Sequence, residues 1–180
     1  MSARKITRFN RRAIKGLTRY FLELVEIIII VIALSWFAQT YIVELVKVKD
    51  NSMLPTLGQN NQVLALKPLK SRTLEQGDVI AFYREGETAN VKRVIGLAGD
   101  EVKIRNGYVY LNGKPLYEPN LRTPVTVEFP PVIVPANHVF VLNDNRLDNN
   151  DSRMWGTIPL EEVIGEVMFC YWPWPQIKFL

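Results

Sequence analysis

The hydrophobic pattern divides the chain near residue 46 into a continuous apolar stretch and a longer body of short alternating runs. The apolar stretch contains FLELVEIIIIVIALSWFAQTYIVELV, and no charged residue occurs from Ile27 to Val43. A helix of about 17 uncharged residues lies at the short end of what crosses the roughly 30 Å hydrocarbon core of a membrane. We therefore predict a transmembrane anchor over residues 21–46. A cleaved signal peptide, a buried core helix and a basic arm that binds nucleic acid are the alternatives.

Beyond the anchor, short runs that alternate apolar and polar residues predict strands. These runs cover residues 62–67, 78–83, 91–96, 138–143 and 163–172. The pairs Asn106-Gly107 and Asn112-Gly113 predict two hairpins in series, because Asn-Gly is a favourable two-residue turn. No helix longer than a turn or two is predicted after the anchor. The expected fold class is mainly β, a barrel or a sandwich over residues 47–180, preceded by one transmembrane helix.

The stretch 117–135 interrupts the alternating pattern. It contains four prolines, Pro119, Pro124, Pro130 and Pro131. A proline lacks the N–H that a central strand needs. We predict that this stretch is an extended excursion or an insertion in the body.

Charge separates the N-terminus from the rest of the chain. Residues 1–20 hold seven basic residues and no acidic one, which leaves 15 basic and 18 acidic residues for the remainder. Since the body is slightly acidic, the sequence offers no basic face for nucleic acid. A basic flank stays in the cytoplasm, so residues 1–20 are predicted to be a cytoplasmic tail of a single-pass protein. The body is then predicted to lie on the outer side of the membrane.

Cysteine and histidine are scarce in this sequence. Cys170 and His138 are the single residues of their types. One cysteine forms no intramolecular disulfide, and two such side chains are too few for a typical zinc site. A Ser–His–Asp triad would have to use His138.

Two stretches carry candidate catalytic groups. NSMLPTL contains Ser52 and a turn residue, Pro55, and is either a polar loop after the anchor or the site of a nucleophile. Lys92 shares a strand face with Val94, and burial lowers the pKa of a lysine by as much as ~3–5 units. A neutral amine accepts the proton of a serine hydroxyl, so a Ser–Lys dyad is the acyl-transfer arrangement that this sequence most readily builds. The alternative is a lysine whose stem packs on the sheet while its ammonium group reaches water.

A third stretch, NDNRLDNNDSRMWGTIP, is dense in Asn, Asp and Arg. It is either a solvated region of Asx turns or a loop that bidentate Arg–carboxylate pairs fix beside an active site. In the second interpretation, Arg146 and Arg153 pair with Asp144 or Asp151.

Together these motifs resemble those of the type I signal peptidases. Four family motifs, S-M-x-P-T-L, G-D, K-R-V-x-G-x-x-G-D and D-N-R…D-S-R-x-x-G, correspond in order to residues 52–57, 77–78, 92–100 and 144–156. The matched segments spread over most of the chain. The resemblance implies that Ser52 is the nucleophile and Lys92 the general base, with the backbone N–H of Ser52 in the oxyanion hole.

The resemblance also implies a membrane-bound serine endopeptidase that removes N-terminal signal peptides from exported preproteins after small residues at positions −1 and −3. Its catalytic domain would be mostly β and lie on the outer face of a plasma or thylakoid membrane, with preproteins and the lipid bilayer as partners. The resemblance also implies that no cofactor and no metal is needed. We expect a monomer. Met53 and Pro55 would lie near the substrate and the membrane. Six further residues would support the dyad or its loop: Asp144, Arg146, Asn149, Asp151, Ser152 and Arg153.

Four positions depart from the family pattern. Asp50 stands two residues before Ser52, where a small residue is usual, and an ionised carboxylate would oppose negative charge in the oxyanion hole. Asn149 stands where the family usually has a serine that hydrogen-bonds the lysine, and its amide oxygen is expected to accept from Lys92. Asn143 replaces a glycine, and LGQNNQV replaces a Gly-Asp turn.

Two rival functions follow from these residues. A non-catalytic relative would keep the fold and bind exported chains without cutting them, and the departures at Asp50 and Asn149 motivate it. A soluble repressor-type autoprotease uses a similar Ser–Lys pair. That protein would carry a DNA-binding head where this chain has its apolar stretch.

Overall fold

The computed structural model describes residues 3–67, 73–84, 88–118, 121, 125 and 127–180, with side chains from Arg19 onward in the first helix. Backbone contacts divide the chain into two compact units, Met1–Tyr41 and Ile42–Leu180. The first unit is a helix, and the second is a β domain that contains every candidate catalytic residue.

The helix of the first unit, α1, extends from Ala3 to Tyr41. Its segment Arg19–Tyr41 is 23 residues long, has a mean hydropathy of 2.4 and is long and apolar enough to cross a membrane. Large apolar side chains such as Ile30 and Trp36 are exposed along it. A helix that is apolar on all sides has no single face for a protein core, which is consistent with a membrane anchor.

The helix differs from the expected anchor at both ends. It includes residues 3–20, which the charge pattern assigned to a separate tail, and it ends before residues 43–47. Those last residues form a strand rather than the end of the anchor. The segment VELVK alternates, since Val46 is buried in the core of the β domain while Leu45 is exposed. The sequence pattern hides this boundary because no turn residue separates the strand from the apolar run.

The β domain contains twelve strands in the part of the chain that the structure describes. They are β1 (Val43–Lys47), β2 (Gln62–Leu66), β3 (Val79–Tyr83), β4 (Ala89–Gly96), β5 (Glu101–Arg105), β6 (Tyr108–Leu111), β7 (Lys114–Pro115), β8 (Phe129–Ile133), β9 (His138–Leu142), β10 (Ile158–Pro159), β11 (Val163–Trp172) and β12 (Lys178–Phe179). One α-helical turn, α2, covers Ser152–Trp155, and 3-10 turns cover Leu160–Glu162 and Trp174–Gln176. These elements confirm the predicted mainly β fold class.

The strands form two antiparallel sheets. The larger sheet has the order β1-β2-β11-β3-β4-β9-β10, with β12 also paired to β11, and the smaller has the order β7-β6-β5-β8. Buried apolar residues form three clusters, which include Val63, Phe82 and Phe140 respectively. β4 has neighbours on both sides in the larger sheet, so it is a rigid support for a functional side chain.

Both hairpins of the smaller sheet occur at the predicted turns. Asn106, Gly107, Asn112 and Gly113 have φ angles between 51° and 82°. Two successive positive φ values are those of a type I′ turn, and Asn and Gly adopt them with the least strain. The structure therefore confirms the two hairpins in series.

Strand β8 corrects the expectation for the stretch 117–135. Its five residues include Pro130 and Pro131, and it pairs with β5 at the edge of the smaller sheet. An edge strand tolerates proline because one side of its backbone has no neighbour to bond. The predicted excursion otherwise includes residues 119–120, 122–124 and 126, which lie outside the described part of the chain.

Candidate active site

The loop after β1 carries Ser52 into the interior of the β domain. In this loop the N–H of Leu57 donates to the carbonyl oxygen of Met53 at 2.8 Å. Met53 and Leu57 are completely buried in an apolar cluster, and Ser52 is only 2% exposed. Met53, which the resemblance assigned to the substrate or membrane surface, is instead a core residue that anchors the loop. Pro55, unlike Met53, is exposed at the surface of the loop.

Strand β4 brings Lys92 to this serine. In the pairing of β3 with β4, Lys92 lies opposite Ile80. Its side chain is 1% exposed, which rules out an ammonium group that reaches bulk water. The Nζ atom of Lys92 lies 2.7 Å from Oγ of Ser52, within hydrogen-bond distance.

Burial and nearby carboxylates have opposite effects on the pKa of Lys92. Removal of the side chain from water lowers its pKa, and four carboxylates oppose this effect by raising it: Asp50, Asp148, Asp151 and Asp144. The effect of burial is larger, so the pKa of Lys92 lies below the usual lysine value. The ring of Trp155, with its centroid 5.9 Å from Nζ, adds an aromatic neighbour that sequence reasoning missed. A lysine in this setting has a neutral form that accepts a proton.

Asp50 contacts the backbone of the candidate nucleophile. Its Oδ1 accepts the N–H of Ser52 at 3.0 Å. Burial raises the pKa of the Asp50 carboxyl, but hydrogen bonds from Ser52 and the charges of Lys92 and Lys49 lower it by more. The pKa therefore lies below the usual aspartate value, and the carboxylate is ionised at neutral pH. The N–H that the resemblance assigns to the oxyanion hole is occupied in this structure.

Arg93 connects β4, the strand that carries Lys92, to the loop after β9 that is dense in Asn, Asp and Arg. Its Nε and Nη2 donate to the two carboxylate oxygens of Asp144 at 2.7 and 2.6 Å. Asp144 is completely buried, and Nη1 of Arg93 also donates to the carbonyl oxygen of Gly77. Sequence reasoning named Asp144 but missed Arg93 as its partner. The one available signal was the position of Arg93 next to Lys92 in the chain.

Asp151 and Arg153 form a second bidentate pair, one of the pairings that the sequence suggested. Nε and Nη2 of Arg153 donate to the Asp151 carboxylate at 2.8 and 2.6 Å, and both side chains are buried. Asp151 also accepts the N–H of Asn143 at 3.0 Å. Ser152 Oγ accepts the N–H of Val141 at the same distance. These bonds satisfy buried backbone groups where β9 ends and hold the following loop in one conformation.

Arg146 departs from the suggested pairing. It is 1% exposed, and its Nη1 donates to Glu118 at 2.8 Å rather than to an aspartate of its own loop. The Asp144 carboxylate already accepts hydrogen bonds from Arg93, and Nε of Arg146 donates to the carbonyl oxygen of Asn143. The remaining N–H groups of Arg146 therefore turn to Glu118. No motif contains Glu118, so the sequence held no signal for this contact.

Asn149 does not hydrogen-bond with Lys92 in the part of the chain that the structure describes. Its side chain is exposed, and its carbonyl oxygen accepts the N–H of Asp151 at 2.8 Å. The same loop instead contacts the nucleophile through Asn145, whose N–H donates to the carbonyl oxygen of Ser52 at 2.8 Å. The loop therefore supports the backbone of Ser52 rather than the Lys92 amine.

The groups that converge on the site define its chemistry. A hydroxyl and a buried amine lie in direct contact, which is an arrangement for proton transfer and acyl transfer. Among the described residues, no group of three or more His, Cys, Asp or Glu side chains is arranged to hold a metal ion.

Comparison with known proteins gives one consistent family. The family model described as signal peptidase, peptidase S26, matches residues 21–172. A probable signal peptidase I-2 of Synechocystis sp. is 34% identical over 168 residues, which are 89% of this chain and 77% of the relative. A signal peptidase I of Bacillus caldolyticus is 35% identical over 147 residues, 73% of this chain and 81% of the relative. A crystal structure of a signal peptidase I from Enterococcus faecalis matches with a TM-score of 0.48 and 31% identity, over 53% of this chain and 97% of that one. The chain therefore belongs to the signal peptidase family, peptidase S26, whose members are proteases that process signal peptides.

Proposed function

We propose that the chain is a membrane-anchored serine endopeptidase that cuts signal peptides from exported preproteins, with Ser52 as nucleophile and Lys92 as general base. One observation carries this proposal. Nζ of Lys92 lies 2.7 Å from Oγ of Ser52, and both side chains are almost inaccessible to water. At this distance a proton passes directly from the hydroxyl to the amine.

The proposed reaction has two stages. Neutral Lys92 takes the proton of the Ser52 hydroxyl while Oγ attacks the carbonyl carbon of the scissile bond. The protonated amine gives that proton to the leaving nitrogen of the mature chain, the C–N bond breaks, and the signal peptide remains on Oγ as an ester. Water then attacks the ester with Lys92 again as base, which releases the signal peptide and restores the hydroxyl. The lowered pKa of Lys92 favours the neutral amine that each stage needs.

A groove along β1 suits an extended substrate. It has a volume of about 460 Å³ and is lined by residues 44–49 together with Tyr83, Thr88 and Ala89. β1 is an edge strand, and the described pairing of β4 with β9 begins at Arg93. Among the described strands, the first half of β4 and the outer side of β1 have no neighbour, so a peptide can add there as a strand. Side chains at −1 and −3 of such a peptide share one face, which supports joint selection of small residues at those two positions.

The apolar helix supports the membrane part of the proposal. A basic N-terminal flank favours a cytoplasmic N-terminus, so the β domain would lie on the outer face of a plasma or thylakoid membrane. The protein would act as a single-pass monomer whose partners are preproteins and the lipid bilayer. Enzyme and preprotein held in one membrane meet at a raised effective concentration without additional contacts.

The test is cleavage of a preprotein with an Ala-x-Ala site by the full-length protein in detergent. We compare the wild type with Ser52→Ala and Lys92→Met, and with Lys114→Met as a matched control at an exposed lysine. The wild type and the control should cut at the site. The two dyad variants should lose activity by about 10²–10⁴-fold or more, the usual contribution of a positioned acid–base group. Retained activity in folded Lys92→Met would contradict the proposed base.

A non-catalytic relative that binds exported chains is the second candidate function. The observation that favours it is the Asp50 carboxylate on the Ser52 N–H, because a stabilised oxyanion needs that N–H. A folded wild type that binds the preprotein but leaves it uncut between pH 7 and pH 10 would support this candidate against the protease.

A further inference from the structure

We propose that Asp50 is a positioning residue that holds the N–H of Ser52 in the free enzyme and releases it when the reacting carbonyl oxygen arrives. The inference rests on the proposed function. It is carried by one contact, in which Oδ1 of Asp50 accepts the Ser52 N–H at 3.0 Å. A backbone N–H has one hydrogen to donate, so the carboxylate and the developing oxyanion compete for it.

The surroundings of Asp50 allow its side chain to leave. Asp50 is exposed while Ser52 is buried, so the carboxylate can turn toward water without a change in the core. The Ser52 carbonyl oxygen stays fixed by the N–H of Asn145. The neighbouring Lys49 lines the groove proposed for the substrate. A peptide that enters the groove therefore comes within one residue of Asp50 along the chain.

The Asp50 carboxylate also acts on the charge of Lys92. Four carboxylates face Lys92, namely Asp50, Asp148, Asp151 and Asp144, and two ammonium groups face Asp50, those of Lys92 and Lys49. Of the four carboxylates, Asp50 has the largest effect in raising the pKa of Lys92. Asp50 itself is ionised at working pH, because its pKa lies below the usual aspartate value. The N–H is therefore freed by movement of the carboxylate and not by its protonation.

Two substitutions test the competition for the N–H. Asp50→Ala removes both the acceptor and the charge, whereas Asp50→Asn removes the charge and keeps an acceptor oxygen. We expect the plateau kcat of Asp50→Ala to rise about tenfold, a part of the roughly 10²–10³-fold that one oxyanion-hole donor contributes. The rise for Asp50→Asn should be smaller. In both variants the acid limb of the kcat/KM profile should move to lower pH, because Lys92 loses a carboxylate that favours its protonated form.

Asp148→Asn is the matched control for the effect of charge. Asp148 also faces Lys92, but the Ser52 N–H donates to Asp50. We expect this variant to move the acid limb while its plateau kcat stays at the wild-type value. A rise in plateau kcat confined to the Asp50 variants supports the inference. An equal or lower plateau in folded Asp50→Ala overturns it.

The Ser52 amide provides a readout that does not depend on activity. In the ¹⁵N-labelled full-length protein in detergent, loss of the charged acceptor should move the Ser52 amide proton upfield and speed its exchange in Asp50→Ala. An amide that is the same in the wild type and in Asp50→Ala overturns the inference, whether or not the protein cuts preproteins. A changed amide in a protein that cuts nothing in any variant supports the contact and assigns the failure to the proposed function.

Discussion

Replacement of Lys92 by methionine tests the burial of the amine separately from catalysis. Lys92 is 1% exposed, and burial lowers its pKa although four carboxylates face it. The folded protein therefore holds this proton less tightly than the unfolded chain, in which lysine titrates near pH 10.4. Methionine keeps most of the apolar stem and removes the charge. We expect Lys92→Met to be inactive and yet more stable than the wild type at neutral pH.

The direction of the pH dependence follows from proton counting. At pH values below the pKa that Lys92 has in the folded protein, the folded and unfolded states both bind its proton. The free-energy cost of burying the charged amine is therefore the same at all of these pH values. Between that pKa and about 10.4 the unfolded state binds more protons, so wild-type stability rises with pH by up to about 1.4 kcal/mol per pH unit. Lys92→Met has no such proton. Its advantage should therefore shrink as the pH rises, and the lost hydrogen bond to Ser52 offsets about 1 kcal/mol of that advantage at every pH.

The assay is urea unfolding of the full-length protein in detergent, followed by far-UV circular dichroism from pH 6 to pH 10. The quantity of interest is the difference in the free energy of unfolding between Lys92→Met and the wild type at each pH. Lys114→Met, at an exposed lysine, is the control. It measures how the free energy of unfolding changes with pH when only a surface charge is removed. A difference for Lys92→Met with no pH dependence beyond this control would refute the lowered pKa, and with it the physical basis for a lysine base.

Two further substitutions test how the loop and the sheet support the site. Arg153→Met leaves the buried Asp151 carboxylate without its bidentate partner, and we expect it to lower the free energy of unfolding by about 3–5 kcal/mol in urea titrations. A loss within experimental error would show that the pair does not hold the loop. Gly165→Ala would put a Cβ 2.1 Å from the carbonyl oxygen of Leu66 and should cost about 1–3 kcal/mol or more in the same assay. Gly58→Ala, where the nearest atom is 3.8 Å away, is its control and should stay within about 1 kcal/mol of the wild type; equal effects of the two would contradict the steric explanation.

Local pattern was sufficient to predict several elements of the β domain, among them the strand that holds Lys92. The strand that carries Lys92 follows from alternation, and the hairpins of the smaller sheet follow from their Asn-Gly turns. Four strands were missed: β1, β8 and the two-residue strands β10 and β12. The first two were missed for physical reasons that the structure shows. β1 continues the apolar run with no turn residue before it, and β8 contains two prolines that the edge of a sheet accommodates.

The partners of the charged residues were not predictable in the same way. Arg146 was expected to pair within its own loop, but it contacts Glu118, and Arg93 takes the carboxylate of Asp144. These contacts join segments that are far apart in the sequence. The pair of Asp151 with Arg153 was one of the alternatives that the sequence suggested, and it is a local contact between residues two positions apart.

The departures from the family pattern affect the surroundings of the dyad and leave its two members in contact. Asn149 is exposed, and Asp50 accepts the N–H of Ser52, yet Lys92 remains buried against the Ser52 hydroxyl. A buried lysine lowers stability relative to an apolar residue of similar size. A protein that only bound exported chains would gain stability from methionine at this position, so the buried amine favours a function that uses it. In the proposed mechanism, Asp50 controls when the N–H of Ser52 becomes available, while the ability of the Lys92 amine to act as a base depends on its burial.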